Sequence, residues 1–532
     1  MKQIKGSEEL QKNVVKGVDK LSDAVASTLG PCGRNVLLKD KSKKPYITKD
    51  GVSVAKHISL EDPFENAAAT ILRQAAEQTA TNAGDGTTTS TVLARAMIHG
   101  SLSVINQGAS PIEVQRGMNK AALRIAEKFK ENSKQLSSLE EIKNIATISA
   151  NGDRGLGELI ASAVDVVGKN GSIAIKEAHS TQTKLDLHEG FRFDGGFTVN
   201  QFLTEERTGL VRYENALVLV TDLEFTLAEQ VQVVAEIATR EGKPLIIISE
   251  KMEGQALAAL IYHHMKGNLK ACFIKAPRYG EERRNILEDL SIAIGAKFIS
   301  RLNGHSLKDL NLTSMATVAT IESSKYSTTI VARDDANTGD NVDKRISMLQ
   351  SQLAETPLGR EAEQLQERIT RLSSAVAVIS VGAPTEVEMR EKKDRIEDAL
   401  EAVKSAQEEG ILPGGGLSLW KFGYGLTASD DLEDKLENEQ QLAGALIVKH
   451  ACQEPLKQML KNAGMDVEHW MEKLRKESTS QSVGIDIYRK EVCDILERGI
   501  IDPCKVTRCA LENAVSAAGT LITTSFASIE ID

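Results

Sequence analysis

Residues 82–91, with the sequence NAGDGTTTST, constrain local structure more than any other stretch of this chain. Two glycines flank Asp85, and because they carry no Cβ they let the backbone turn tightly and approach a ligand. Thr87, Thr88 and Thr89 then open a predicted helix, whose first N–H groups and dipole attract anions. Asp85 is a hard oxygen ligand of the kind that Mg²⁺ prefers. The stretch therefore predicts a site for a triphosphate and its metal ion.

This stretch is not a Walker A loop, because no lysine follows Gly86. The alternative interpretation is an Asp-Gly turn with a threonine-rich helix start, and a bare Gly-Asp-Gly would favour that alternative. The three consecutive threonines favour the phosphate site instead, since their hydroxyls add donors at the start of the helix.

The acidic balance of the chain argues against nucleic acid as a partner. Its formal net charge is −10 over 532 residues, without the basic stripe that a general nucleic-acid surface needs. The 6 cysteines form no CxxC pair, so a zinc site is not expected and a reducing compartment is indicated. The N-terminal residues are polar where a signal peptide would be apolar, and no aliphatic run could span a bilayer. We expect a cytoplasmic protein without membrane contact.

Hydrophobic spacing predicts helical chain ends around an α/β middle. Apolar residues recur at helical spacing over 10–29, up to the stop signal Gly30-Pro31. In the middle, short β-like runs alternate with helices, as at Leu245–Ser249 followed by 254–266. Two helices in a hairpin are predicted over 341–372, and a last strand over 520–524. The predicted fold class is multidomain, α plus α/β.

Further motifs follow one another along the chain. They are TLGPCGRN (28–35), ITKDGVSV (47–54), AGDGTTT (83–89), KAP (275–277), VGAPTEVEMREKK (381–393), RIEDAL (395–400), EEG (408–410), GGG (414–416) and DPCKVTR (502–508). In identity and order this series resembles the group I chaperonins, the bacterial and organellar sixty-kilodalton class. The resemblance spans nearly the whole chain.

The resemblance implies a subunit of three domains. A mostly helical equatorial ATP-binding domain would comprise 1–133 and 410–532, and a small intermediate domain would comprise 134–189 and 376–409. An α/β apical domain over 190–375 would be inserted in the middle and bind substrate and co-chaperonin. Subunits would form a homo-oligomeric, heptameric ring, single or double, that works with a small co-chaperonin lid on non-native polypeptide clients. The implied activity is ATP hydrolysis coupled to protein folding.

The resemblance also implies phosphate, metal and catalytic roles. The phosphate contacts correspond to Thr28, Leu29, Gly30, Pro31, Lys49, Asp85, Gly86, Thr87, Thr88 and Thr89. Asp85 would hold Mg²⁺, and a K⁺ would lie near Thr28 and Lys49. Asp398 corresponds to the catalytic carboxylate that polarises the attacking water, with Asp50 beside it. Because Asp398 would come from another domain, hydrolysis would require that domain to swing toward the nucleotide.

On the nucleoside side, Gly415 and Asp502 match the family, with Asp502 accepting from ribose hydroxyls. Sixteen positions before Asp502 the family usually has Asn-Ala-Ala against the adenine, whereas this chain has Asp486, Ile487 and Tyr488. Ile and Tyr fill the space that small residues leave for a purine, so weakened ATP affinity with retained phosphate chemistry is expected. The alternative is that Tyr488 stacks on the adenine.

The client-binding groove of the family corresponds to seven apolar residues of the middle segment. They are Phe197, Phe202, Val231, Val234, Leu257, Ile261 and Tyr262. Exposed apolar side chains at helical spacing would bind non-native chains of many sequences, because apolar burial is non-directional. The alternative is that these side chains pack the core of the α/β domain.

Two hypotheses about function stay open. The first is an ATP-driven folding chaperonin, favoured by Asp50, Asp85 and Asp398. The second is a divergent paralogue with weak ATPase activity and a binding or regulatory role. It is favoured by the departure at 486–488 and by Ser374-Ala375, which replace the glycine pair usual at an apical hinge.

Overall fold

The chain divides into two compact units, which we call the helical unit and the sheet unit. The helical unit comprises Met1–Ser162 and Ala383–Asp532, and the sheet unit comprises Ala163–Gly382. The predicted intermediate segments are shared between the two units, and the three-domain boundaries stay a prediction. The computed structural model describes residues 2–39, 45–168, 172–178, 180–205, 208–307, 310–333, 338–356, 359–373, 375–426, 436–478 and 480–530. Ser374, one of the two predicted hinge departures, lies outside these residues.

Helices dominate both chain ends, and most strands lie in the middle of the chain. In chain order, the helices are α1 (Ser7–Ala26), α2 (Gly51–His57), α3 (Pro63–Ala83), α4 (Thr87–Ile105), α5 (Pro111–Asn132), α6 (Leu139–Ser149), α7 (Arg154–Val167), α8 (Ala228–Glu241), α9 (Gly254–Met265), α10 (Gly280–Ile294), α11 (Gly339–Glu355), α12 (Arg360–Leu372), α13 (Glu386–Glu409), α14 (Leu417–Tyr424), α15 (Glu439–Ala451), α16 (Glu454–Asn462), α17 (Val467–Glu477) and α18 (Cys504–Ile522). The strands are β1 (Lys2–Gly6), β2 (Val36–Leu38), β3 (Tyr46–Thr48), β4 (Ser172–Glu177), β5 (Lys184–Phe193), β6 (Val211–Val220), β7 (Glu224–Phe225), β8 (Leu245–Ser249), β9 (Lys251–Met252), β10 (Ala271–Lys275), β11 (Ala316–Ser323), β12 (Thr328–Val331), β13 (Ala375–Val381), β14 (Ile411–Pro413), β15 (Val483–Asp486), β16 (Glu491–Asp494), β17 (Ile501–Pro503) and β18 (Phe526–Glu530). The predicted fold class, multidomain α plus α/β, is confirmed.

The core of the helical unit forms where α1, α3, α4, α5, α15 and α18 pack together. In α1 the apolar residues recur every three or four positions, so one face is buried, as at Val14, Val18 and Leu21. Asp62 starts α3 by accepting hydrogen bonds from the N–H groups of the first turn. Among the described helices, none combines the length and the apolar character that crossing a membrane requires.

Small antiparallel strand pairs bring distant parts of the helical unit together. β1 pairs with β18, so the two described chain ends lie side by side, and β14 pairs with β17. The predicted last strand over 520–524 is wrong, because α18 continues to Ile522 and buries its last apolar residues. The strand follows one step later, over Phe526–Glu530. A short apolar run at a helix end has no periodicity that distinguishes the two structures.

The sheet unit is built on an eight-stranded sheet with the order β10-β8-β6-β11-β12-β5-β13-β4. β10, β8 and β6 are mutually parallel, and α8 and α9 connect β6, β8 and β10. This arrangement confirms the predicted strand–helix alternation. The middle of the sheet is antiparallel, and the buried faces of β6 and β8 form the centre of the unit's core.

A buried carboxylate fastens the α11–α12 hairpin to α10. Asp289 on α10 has a side chain only 2% exposed, and it accepts hydrogen bonds from Arg345 on α11 and Arg368 on α12. The contacts measure 2.9 Å to Arg345 Nε and 2.6 Å to Arg368 Nε. Glu288 next to it also pairs with Arg345 but is 45% exposed. The hairpin is therefore tied to α10 by one desolvated acid that bridges two guanidinium groups.

We expect Asp289→Ala to lower the free energy of unfolding by about 3–5 kcal/mol, because it leaves two buried arginines without their carboxylate. The matched control Glu288→Ala should cost less than about 1 kcal/mol, since exposed pairs contribute little. Urea denaturation followed by far-UV circular dichroism measures both variants. Equal losses in the two variants would contradict the special role of the buried acid.

Candidate functional site

The glycines around Asp85 shape the turn between α3 and α4 as the sequence predicts. Gly84 and Gly86 have φ angles of 75° and 90°, a left-handed conformation that residues with a Cβ rarely adopt. Gly86 is the N-cap of α4, and within the described chain no side chain caps this helix start. The N–H groups of the first turn, at Thr87–Thr89, are thus available to an anion.

The turn after α1 lies against the same helix start. Thr28 Oγ1 is 3.3 Å from Thr88 Oγ1, and Lys49 Nζ donates to the Gly30 carbonyl at 3.2 Å. A Cβ on Gly51 would collide with Thr88 Oγ1, so this close approach requires glycine. The structure therefore brings three separate predicted phosphate segments together. Of the remaining predicted contacts, Leu29 packs in a neighbouring apolar cluster, Pro31 is exposed and Thr89 is half-buried.

Lys49 is a desolvated cation in this site. Burial lowers the pKa of its ammonium, and the positive charge of Arg395 lowers this pKa further, while Cys32 and Glu391 act in the opposite direction. A partly buried ammonium binds an incoming anion more strongly than an exposed one, because less water screens the interaction. The position and the partial burial of Lys49 therefore suit it to bind a phosphate.

Carboxylates from three chain segments lie close to one another around Asp85. Burial raises the pKa of Asp85, whose Oδ1 accepts the Gly86 N–H at 2.5 Å, and the nearby Asp50 raises it further. Burial also raises the pKa of Asp502 to about 6, and the charge of Asp85 adds to the effect. Asp50 caps α2, accepting from Val52 and Ser53 N–H groups. Like charges in a desolvated site favour a bound cation.

Asp502 is positioned by the glycine cluster at the start of α14. In the β14–β17 pair Asp502 lies opposite Leu412, directly before this cluster. The N–H groups of Gly415 and Gly416 donate to its carboxylate, and both glycines have positive φ angles, 63° and 73°. A Cβ on Gly414 would approach Asp502 Oδ1 to 2.8 Å. The predicted nucleoside residues Gly415 and Asp502 are therefore neighbours.

The donor set fits Mg²⁺ as a companion of phosphate rather than as an ion in a protein cage. Asp50, Asp85 and Asp502 are hard ligands, but in the described chain the only three-residue group with ligand atoms within 4.8 Å of one another is Asp486, Glu491 and Cys493. Mg²⁺ in phosphate-transfer sites commonly uses one or two carboxylates, and phosphate oxygens and waters complete its octahedron. Asp85, with its raised pKa, is the residue best suited to hold it.

Helix α13 lies directly over the glycine turn. Ser405 Oγ donates to the Ala83 carbonyl at 2.8 Å, and a Cβ on Gly84 would collide with Glu401. Asp398 is half-buried on this helix, one turn before Glu401. The predicted catalytic carboxylate thus already belongs to the same unit as Asp85, and its helix touches the turn without further movement.

The 486–488 segment does not obstruct the site in the way the sequence predicts. Tyr488 is 81% exposed, so the expectation that its ring fills a buried purine space is wrong. Asp486 is buried, and its Oδ1 accepts the Arg489 N–H at 3.0 Å. Ile487 packs in the apolar cluster that Leu29 also contacts.

The predicted client-binding residues divide into a buried and a partly exposed set. Leu257 and Ile261 are half-buried against the core of the sheet unit, and Tyr262 is 58% exposed. The expected exposure is wrong for the other four, because their side chains face the sheet and form its core. These four are Phe197, Phe202, Val231 and Val234. The exposed apolar side chains of α8 and α9 include Val233, Tyr262 and Met265.

Two contacts at the site were not predicted from the sequence. Ser149, the last residue of α6, places its hydroxyl 3.5 Å from Asp85 Oδ2. Arg395 on α13 lies close enough to Lys49 to lower its pKa. The residue types give no local signal in either case. Only the spacing of Arg395 from Asp398, which puts both on neighbouring turns of one helix face, could have suggested it.

Comparison with known proteins agrees with this architecture. The sequence model of the TCP-1/cpn60 chaperonin family matches residues 21–525. Among solved structures, the chain resembles the chaperonin gp146 from the bacteriophage EL 2 (Pseudomonas aeruginosa), crystallised in the presence of ATP-BeFx. The TM-score is 0.66 at 21% sequence identity, with 99% of each chain covered. The likeness to gp146 extends to the fold of the whole chain.

The contact between α13 and the glycine turn generates a prediction. Gly84→Ala should cost about 1 kcal/mol or more for the left-handed backbone and also push Glu401 away. Hydrogen exchange should therefore accelerate both in the turn and in the middle of α13. The control Gly108→Ala shares a positive φ, 103°, but its Cβ would meet nothing within 4 Å. If both variants exchange alike in α13, the helix does not depend on this contact.

Proposed function

Because the chain belongs to the TCP-1/cpn60 chaperonin family, we propose that it is an ATP-dependent molecular chaperone. It binds non-native polypeptides and promotes their folding in a ring cavity. The observation that carries the proposal is the convergence of Lys49, Asp85 and Asp502 at the uncapped start of α4. The ATP-BeFx present with the similar chaperonin gp146 supports nucleotide binding here.

The residues of this site have separate roles in the proposed hydrolysis of ATP. The first N–H groups of α4 and the Lys49 ammonium bind the phosphates and stabilise the charge that develops on transfer. Asp85 would hold Mg²⁺, which would offset the charge of the phosphates. Asp398, assisted by Asp50, orients and deprotonates the attacking water. The Asp502 carboxylate, fixed by two glycine N–H groups, accepts from the ribose. A K⁺ near Thr28 completes the set of proposed ions.

The proposed assembly is a heptameric, homo-oligomeric ring, single or double, closed by a small co-chaperonin lid. The strand pairs β2–β3 and β1–β18 support a ring, because they leave unpaired edges and exposed apolar residues, including Leu37 and Phe526. Such edges suit pairing with a second copy of the chain. Clients are non-native polypeptides that expose apolar segments.

One observation favours the alternative, a divergent paralogue with weak ATPase activity and a binding or regulatory role. Four of the seven predicted client-binding side chains, including Phe202 and Val231, are buried in the core of the sheet unit. A capture surface would then depend on fewer side chains, chiefly Tyr262 and Met265, which are 58% and 71% exposed. Fewer apolar contacts mean weaker retention of clients.

Refolding of a chemically denatured client, measured together with ATP turnover, tests the proposal. Wild-type protein should increase the refolded yield only with ATP. Asp398→Asn should still bind ATP but turn over roughly 10²–10⁴-fold more slowly, since it removes a general base. The matched control Glu386→Gln changes a solvent-exposed carboxylate on the same helix and should leave turnover unchanged. ATP turnover without any gain in refolding would support the alternative function instead.

Client capture provides a second test. Tyr262→Ser should raise the Kd for a denatured client about ten- to hundredfold, because it removes about 1.5–3 kcal/mol of apolar burial. The control Tyr326→Ser removes a ring that is 82% exposed elsewhere in the sheet unit and should leave the Kd unchanged. Fluorescence anisotropy of a labelled client measures both. Equal effects would show that capture does not use α9.

A further inference from the structure

Arg395 on α13 is a half-buried arginine whose guanidinium has an incomplete set of partners among the described residues. Its Nε atom is buried and has no hydrogen-bond partner among the described residues. One terminal nitrogen donates to Glu391 at 2.5 Å, and the other lies 3.8 Å from Asp153, beyond hydrogen-bond range. A buried donor without an acceptor is unfavourable. The Nε–H group of Arg395 can therefore donate a hydrogen bond to a further acceptor.

The packing of α13 directs this arginine toward the phosphate-binding residues. The helix packs against β3, which ends one residue before Lys49. Further along, it touches the glycine turn through Glu401 and Ser405. Arg395 lies one turn before Asp398, so both side chains share a face of the helix.

The charges around Arg395 point to an anion as the missing acceptor. The Lys49 ammonium and the Arg395 guanidinium are like charges that lie close enough to repel each other. Glu391 compensates only part of this repulsion, since it already pairs with Arg395. An anion bound between the two cations would relieve this repulsion.

We infer that Arg395 contacts the terminal phosphate of a bound nucleoside triphosphate and so distinguishes ATP from ADP. This inference rests on the proposed function. A guanidinium suits the role because it can bind phosphate oxygens through two parallel hydrogen bonds. Since Arg395 and Asp398 share one helix, binding of the terminal phosphate also fixes the position of the catalytic carboxylate.

The test compares the affinities of the full-length protein for MgADP and for the non-hydrolysable analogue Mg-AMP-PNP by isothermal titration calorimetry. Arg395→Ala should raise the Kd for AMP-PNP about tenfold or more and the Kd for ADP less than about twofold. Arg395→Lys should recover part of the loss, because it keeps the charge without the fork. The control Arg390→Ala removes an exposed arginine of the same helix and should change neither Kd.

The outcomes separate the inference from a purely structural role. Equal losses of affinity for both nucleotides in Arg395→Ala and Arg395→Lys would mean that the arginine only holds α13 in place, and would overturn the inference. Unchanged affinities would overturn it as well. Wild-type protein that binds neither nucleotide would overturn the proposed function and this inference together. Arg395→Gln serves as the second neutral variant if the alanine variant unfolds, with the same expected results.

Discussion

The main physical constraint on the helical unit is that like charges lie close together in a desolvated site. Asp85 and Asp502 both have raised pKa values, chiefly because burial disfavours their charged forms, and a neighbouring carboxylate adds to the effect, Asp50 for Asp85 and Asp85 for Asp502. Such repulsion opposes folding, and the unit tolerates it only because glycine turns and strand pairs fix the segments that carry these acids. A bound cation would relieve the repulsion among the carboxylates. An anion bound with it would relieve the repulsion between Lys49 and Arg395. The electrostatic free energy of these side chains is therefore unfavourable without a ligand, and a bound ligand would lower it.

The same glycine turn connects this electrostatic site to the rest of the helical unit. Its backbone ends α3, begins α4 and supports α13 through Ser405 and Glu401. A phosphate that orders the start of α4 therefore acts on the helix that carries Asp398 through direct contacts. Coupling of this kind would need no long path, because the proposed phosphate-binding residues and the proposed catalytic carboxylate belong to one packed unit.

Local sequence predicted the parts of the structure that local chemistry determines. The Gly-Asp-Gly turn and the strand–helix alternation around β8 follow from backbone preferences and periodicity. Periodicity cannot tell which surface covers an apolar stripe, and so the burial of Phe202 was not predicted. In the same way, the size of Tyr488 suggested an obstruction, whereas its direction depends on the β15–β16 pair. A role for Arg395 could not be predicted from the local sequence, because its proximity to Lys49 depends on the tertiary packing of α13.

The central claim is that desolvated carboxylates hold Mg²⁺ against a bound triphosphate. The most direct measurement is the Mg²⁺ dependence of AMP-PNP affinity in the wild-type protein and in Asp85→Asn. The substitution removes a repelled charge, so loss of folding is not the expected cause of any change. The account predicts that Mg²⁺ strengthens wild-type binding and has little effect on the variant. Equal strengthening in both proteins would contradict it.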